Sequence, residues 1–183
     1  MAFKWFALNS KKKEFEFVCS ECSEIHKGSP SFSHRLPAYA LDVPDSEQDE
    51  RLYSTDDVCI VDEKHFFIRV ILEIPIIGTN DPFTWGVWVS QSEDNFMQYQ
   101  ETFGTDQSAM NTFGWLTVNF PYYLTRDSNG FIENLKCDVH WGVKGQRPHL
   151  IICETAHELF ADQHEGISWD KAVKIAQLSM HPK

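Results

Sequence analysis

A chain of 183 residues, 42% hydrophobic and 14% aromatic, is long and apolar enough to bury a substantial core, and fourteen Phe and six Trp exclude a disordered chain. The formal net charge of −11 argues against a nucleic-acid footprint and suits a basic protein partner. No apolar run reaches the roughly 20 residues of a membrane span. Only a short mixed segment precedes Lys11-Lys12-Lys13-Glu14, so no secretory signal is read and the expected address is the cytoplasm.

Residues 1–13 show no clear period. Glu14 to Val18 alternates, with Phe15 and Phe17 on one side, and predicts a strand entering Cys19-x-x-Cys22-x-x-x-His26. Gly28 and Pro30 mark irregular chain, and residues 31–43 predict loop with at most a helical turn. In DSEQDERLY the acids come first and Arg51 late, an order that fits the helix dipole, so a short exposed helix is expected at 45–53.

The densest apolar block runs from Val58 to Ser90 and predicts two or three paired strands around a turn at 78–82. From His65 to Ile74 the faces separate. Phe66, Ile68, Val70, Leu72 and Ile74 form a core face, and His65, Phe67, Arg69, Ile71 and Glu73 a half-polar one, before Pro75 ends the run. Thr84 to Ser90 is a second strong strand. Ser90 or Ser92 caps a helix reaching Phe103. Strands follow at 113–120, 135–143 and 150–154, with a turn at 127–130. Residues 155–167 predict loop with a helical turn, and Ser168 caps a final amphipathic helix. Its expected buried side is Trp169, Ala172, Val173, Ala176 and Met180.

About six strands and three helices, with no alternation of strand and helix, predict an α+β fold with a mainly antiparallel sheet. One domain is expected over 1–183, with a zinc-knuckle-like metal-binding segment at 14–30.

Two cysteines in C-x-x-C suit a tetrahedral metal, because a tight turn aims both sulfurs at one point while backbone N–H groups stabilise the thiolates. His26 follows Cys22 closely enough to be a third ligand. For the fourth, spacing leaves Cys59, His34, Cys137 and Cys153 open. Five cysteines in a chain without a signal point to metal or redox chemistry before a disulfide framework, and the redox reading lacks its βαβ context. The competing reading is two ordinary thiols near a surface histidine. A full set of four ligands describes a structural site, whereas catalytic zinc keeps a position open.

His140, His149, His157 and His164, with Cys137, Cys153, Asp162 and Glu165 among them, crowd the last third without fixed ligand spacing. Arg69, Glu73 and His65 share a strand face that Trp88 can join across the hairpin. Such a face serves either as a ligand-binding floor or as a cross-strand ion pair, and the ion pair is the expectation. No nucleophile elbow and no phosphate-binding glycine loop is present.

The stretch from Cys19-x-x-Cys22-x-x-x-His26 through DSEQDER, DVCIVD at 57–62 and HFFIR at 65–69 resembles a family of uncharacterised bacterial proteins classed as a domain of unknown function. The likeness continues through Leu72-Glu-Ile-Pro75, FTWGVWVS at 83–90 with Asn95-Phe96, FGWL at 113–116, Arg147-Pro148, His157 and Asp162-Gln163 to Gly166-Ile167. It spans about residues 17–168. It implies no activity, but a cysteine at position 59 belongs to the pattern, which makes Cys59 the implied fourth ligand. Ser23 departs from the pattern, where glycine often follows the second cysteine, and residues 1–13 are an extension.

The expectation is therefore a non-enzymatic binding module with a structural zinc on Cys19, Cys22, His26 and Cys59. One alternative is a small metal-dependent or hydrolytic enzyme using the histidine-rich third. Another is an acidic protein that neutralises a basic partner.

Overall fold

The computed structural model describes residues 13–117, 120–123 and 134–181; the segment before residue 13 and the turn expected at 127–130 lie outside the described residues. The chain opens with a hairpin of β1 (Glu16–Val18) and β2 (Ile25–Lys27), in which Phe17 faces His26. After β3 (Ser31–Ser33) come two 3₁₀ turns, Ala38–Asp42 and Asp45–Glu47, and the one-turn helix α1 (Gln48–Arg51). Strands β4 (Leu52–Ser54), β5 (Val58–Val61), β6 (His65–Ile74) and β7 (Phe83–Gln91) then form an antiparallel run. Helix α2 (Glu93–Thr102) leads to β8 (Asn111–Thr117), and β9 (Asn134–His140) and β10 (His149–Ile152) lead to α3 (Glu158–Glu165) and α4 (Trp169–Met180).

The long β6–β7 hairpin pairs from Phe66 with Gln91 to Ile74 with Phe83. Strands β8, β9 and β10 continue antiparallel from β7, and β10 then lies parallel to β6, with His149 opposite Ile71 and Ile71 N–H donating to Pro148 O at 2.8 Å. This closes a five-stranded barrel of β6, β7, β8, β9 and β10. Closure removes the free edges of these strands, and a barrel this narrow is filled by side chains. The filling is the predicted core face of β6 with Trp85, Val87 and Val89, joined by Leu116, Leu135, Cys137, Val139, Leu150 and Ile152. Phe96 and Tyr99 of α2, Leu159 of α3, and Ala172, Ile175 and Ala176 of α4 extend the same cluster.

The fold is mixed α+β, as expected, but with ten strands and four helices among the described residues, and with two parallel pairs, β10–β6 and β3–β7. The strands that escaped the pattern, IHK, SFS and LYS, are three residues long, too short to show alternation. Residues 158–165 are an eight-residue helix where a loop with a single helical turn was expected. Its N-cap is His157, whose Nδ1 accepts from Leu159 N–H at 3.1 Å, and histidine is outside the usual capping set. Ser92 and Ser168 cap α2 and α4 as expected, accepting from Asn95 and Lys171 N–H. In α4, Ile175 is buried and Met180 exposed, so the buried stripe is rotated from the predicted one.

The opposite face of the β6–β7 hairpin carries Phe67, Arg69 and Trp88. The segment 36–54 folds over it, and Ala40, Val43, Cys59, Val61, Phe67 and Trp88 form a second, smaller core. The hairpin is thus covered on its second side around Phe67 and Trp88.

Gly114 of β8 packs against β7 so closely that a methyl group would overlap the Val89 side chain and lie 2.5 Å from the Ser90 carbonyl oxygen. Gly114→Ala is expected to cost about 2–3 kcal/mol, a fall in Tm of roughly 4–12 °C for a chain of this size. Thermal unfolding checks this, and an unchanged Tm contradicts the β7–β8 packing.

Candidate metal centre

In β1, alternation buries Phe15 and Phe17 and carries on to Cys19, so the first thiol faces the core while Val18 and Ser20 face solvent. The chain reverses immediately afterwards. Cys19 N–H donates to Glu24 O at 2.9 Å and Ser23 N–H to Cys19 O at 2.9 Å, with Ser23 in the left-handed region at φ 63°. That conformation favours glycine, so serine carries some backbone strain here. Strand β2 then returns His26 beside Phe17, ring centroids 5.2 Å apart.

The hairpin lies along α4. Phe15 packs on Trp169 at the start of the helix, 4.9 Å between ring centroids, and His181 stands just past its end. The donor atoms of Cys19, Cys22, His26 and His181 all fall within 4.8 Å of one another, and Cys22 Sγ is 3.4 Å from His26 Nε2. The edges of a tetrahedral zinc site, from its usual bond lengths, are about 3.3–3.8 Å. Burial raises the Cys19 thiol, but backbone N–H groups of Cys22 and Glu21, and then the Cys22 side chain, outweigh it and hold the thiol below its ordinary value. A metal needs that thiolate form. His181 Nε2 is shut off from solvent with no hydrogen-bond partner among the described residues. A buried imidazole nitrogen costs stability unless something occupies its lone pair or takes its proton. Two sulfurs, two imidazoles and one unsatisfied nitrogen fit a metal ion.

Of the four expected ligands, the structure places Cys19, Cys22 and His26 together, with His181 and not Cys59 beside them. Cys59 lies in the second core, opposite Phe67 in the β5–β6 register, on the other face of the hairpin from the cluster that holds Cys19. Burial raises its thiol, against the Ser54 side chain. His34 sits against Trp85 and Phe120. Cys137 is inside the barrel, its S–H directed to Gly114 O at 3.4 Å, and burial first, then Cys153 and Asp138, push it up to about 12. Spacing gave no sign of His181, more than a hundred residues beyond His26. One hint is that it directly follows an amphipathic helix.

Of the histidines of the last third, only His140 and His149 come together, as opposite residues of β9 and β10. His140 is exposed on β9, His149 lies 3.7 Å from Glu73, His157 caps α3 and His164 Nδ1 lies 2.9 Å from Phe160 O of its own helix. No second group of three or more Cys, His, Asp or Glu donors forms among the described residues. Nor does Arg69 pair with Glu73. Its guanidinium stacks over Trp88, the residue opposite it, at 4.7 Å.

Sequence reasoning also missed the network that fixes α4. Lys171 Nζ donates to Asp162 at 2.7 Å and to Glu158 at 2.6 Å, and Tyr123 O–H donates to the buried Asp162 at 2.6 Å. Burial lowers the Lys171 ammonium, but its hydrogen bonds to Asp162 and Glu158 outweigh this and raise it. Burial first, then Asp162, raises the Tyr123 phenol.

The chain therefore defines a class by its shape and its donors: a small closed barrel with helices and a cysteine–histidine knuckle fastened to the last helix. A family model described as an uncharacterized protein conserved in bacteria (DUF2199) matches residues 18–167, and the chain belongs to that family. No curated protein and no solved structure matches it. The matched span holds Cys19, Cys22 and His26 but stops before α4 and His181.

Two measurements follow from this geometry. Cys59→Ala is expected to leave zinc content unchanged while costing about 1 kcal/mol of packing. His181→Ala should weaken zinc at least about 100-fold, beyond the loss of a mere outer-shell partner; elemental analysis and competition with a chelating dye read both. The Lys171 network sets an alkaline limit. With the folded-state value raised, its stabilisation is full below the ordinary lysine value of about 10.5 and disappears as pH rises through the folded value, and Tyr123 acts in the same direction. Tyr123→Phe should weaken the pH dependence of stability above about pH 10, read by denaturant unfolding at each pH.

Proposed function

We propose that this protein is a non-enzymatic binding module whose amino-terminal hairpin is held to its last helix by a structural zinc on Cys19, Cys22, His26 and His181. The observation that carries the reading is the set of four nitrogen and sulfur donors from both ends of the described chain, with His181 Nε2 buried and unpartnered. A complete four-donor set belongs to structural zinc, because catalytic zinc keeps one position for water or substrate. The scattering of the C-terminal histidines weighs against the hydrolytic alternative, since acid–base chemistry needs such groups within hydrogen-bond reach of one another.

The binding role is supported by charge. The net charge is −11, and Asp42, Asp45, Glu47, Asp49 and Glu50 are all exposed along the segment 42–50. Tyr39, Leu41 and Tyr53, at its borders, are exposed as well. Such a surface suits a basic protein partner, attracted at long range and screened by salt. The residues described include no helix long and apolar enough to cross a membrane. Cytoplasm is the proposed location, in keeping with five cysteines that are all free.

The zinc reading is tested by elemental analysis and by melting before and after chelation. About one zinc per chain, release of two reactive thiols by the chelator, and a Tm lower by about 10 °C or more without metal are expected. A chelated protein that melts with the metal-loaded one removes the structural role.

A further inference from the structure

On the other side of the β6–β7 hairpin from the knuckle, Arg69 is held without a counter-ion among the described residues. Its guanidinium rests on the Trp88 ring, Nη1 donates to Ser33 Oγ at 3.1 Å and Nη2 to Arg35 O at 3.1 Å. Trp88 is itself fixed, its Nε1–H donating to His34 O at 3.0 Å. The nearby carboxylate of Asp57, whose backbone carbonyl accepts from Arg69 N–H, is taken by Arg147 at 2.5 Å. Among the described residues no carboxylate oxygen lies within the 4.0 Å of an ion pair with Arg69. An arginine has five N–H donors. Two are used here, both on neutral oxygens, and Nε has no acceptor.

Arg69 borders a cavity of about 530 Å³, within the range of small-molecule sites. Arg35 joins it there, and Gln48, Asp49, Ser54, Thr55 and Asp56 complete the polar lining. The cavity thus offers two guanidinium groups, two hydroxyls and two carboxylates. Rigid stacking and two hydrogen bonds set the Arg69 fork before any ligand arrives, so little side-chain entropy is lost on binding. The geometry points to a binding site for a small polar anion, a carboxylate or phosphate held by Arg69 and Arg35, whose hydroxyl or amine groups are received by Asp49 and Asp56. The inference goes beyond the zinc reading and rests only on the role of the chain as a binding module. The two sites lie on opposite faces of the hairpin, so zinc content and anion binding are scored separately.

The test is a titration of the full-length, metal-loaded protein, followed through the Arg69 Nε–H and Trp88 indole N–H resonances. The probes are inorganic phosphate, acetate and O-phospho-L-serine, which carries both anions and an amine. Saturable shifts are expected, with O-phosphoserine the tightest; saturation by phosphate alone or by acetate alone assigns the anion. Arg69→Gln should weaken binding at least about tenfold, the value of a charged hydrogen-bond pair. Arg35→Gln, an exposed change that spares the fold, should weaken it about threefold, and Asp56→Asn should tighten inorganic phosphate by a similar factor, as removal of a like charge does. Linear, unsaturated shifts with all three probes overturn the site, as do affinities unchanged in both arginine variants.

Discussion

The parallel pairing of β10 with β6 is the contact on which the rest of the molecule depends. It is narrow, one register pair at His149 and Ile71 with the hydrogen bond from Ile71 N–H to Pro148 O, yet it turns an open meander into a closed barrel. Closure commits one face of β6 and β7 to the interior, where Val70, Leu72, Val87 and Val89 leave no room for polar groups. The other face must then be covered from outside. The segment 36–54 does this with Ala40, Val43, Leu36 and Leu52. Because the hairpin period is two, the barrel decides where every odd-numbered residue of β6 points, including Arg69.

The last helix answers a different constraint. The β1–β2 hairpin has three residues in each strand, and a two-stranded ribbon this short has no stability of its own. It is held by what it touches: Phe15 on Trp169, Phe17 in the main core, and the donors of the knuckle around His181. Helix α4 is tied down in turn through Lys171, by Glu158 and the buried Asp162, and Gln163 of α3 bonds both Ile152 N–H and Leu150 O, acting as an extra rung on β10. A chain of contacts therefore runs from barrel to α3, to α4, to knuckle. The zinc proposed here would be its last link.

What was legible in the sequence is what burial writes as a period. The two faces of β6, the caps Ser92 and Ser168, and the alternation that puts Phe15 and Phe17 on one side could be read directly, because each depends on neighbours in the chain. Closure of the barrel could not, since a parallel contact between β6 and β10 leaves no trace in either segment. The fourth donor failed for a related reason. Position 59 was implied by a resemblance, while register places Cys59 opposite Phe67 and on the wrong face. His181 depends on where a whole helix docks, which no spacing encodes. His157 was noticed for its chemistry and turned out to be a cap.

The knuckle and its distant histidine also fix an order of events during synthesis. Cys19, Cys22 and His26 leave the ribosome early, and at usual elongation rates the ~155 residues before His181 take roughly 8–30 s. During that interval the proposed zinc would have three of its four donors, with the fourth position open. The proposed coordination becomes complete only when α4 has emerged and packed on Phe15. The hold on the proposed zinc would therefore depend on the docking of α4, and loosening that helix would leave the ion on Cys19, Cys22 and His26 alone.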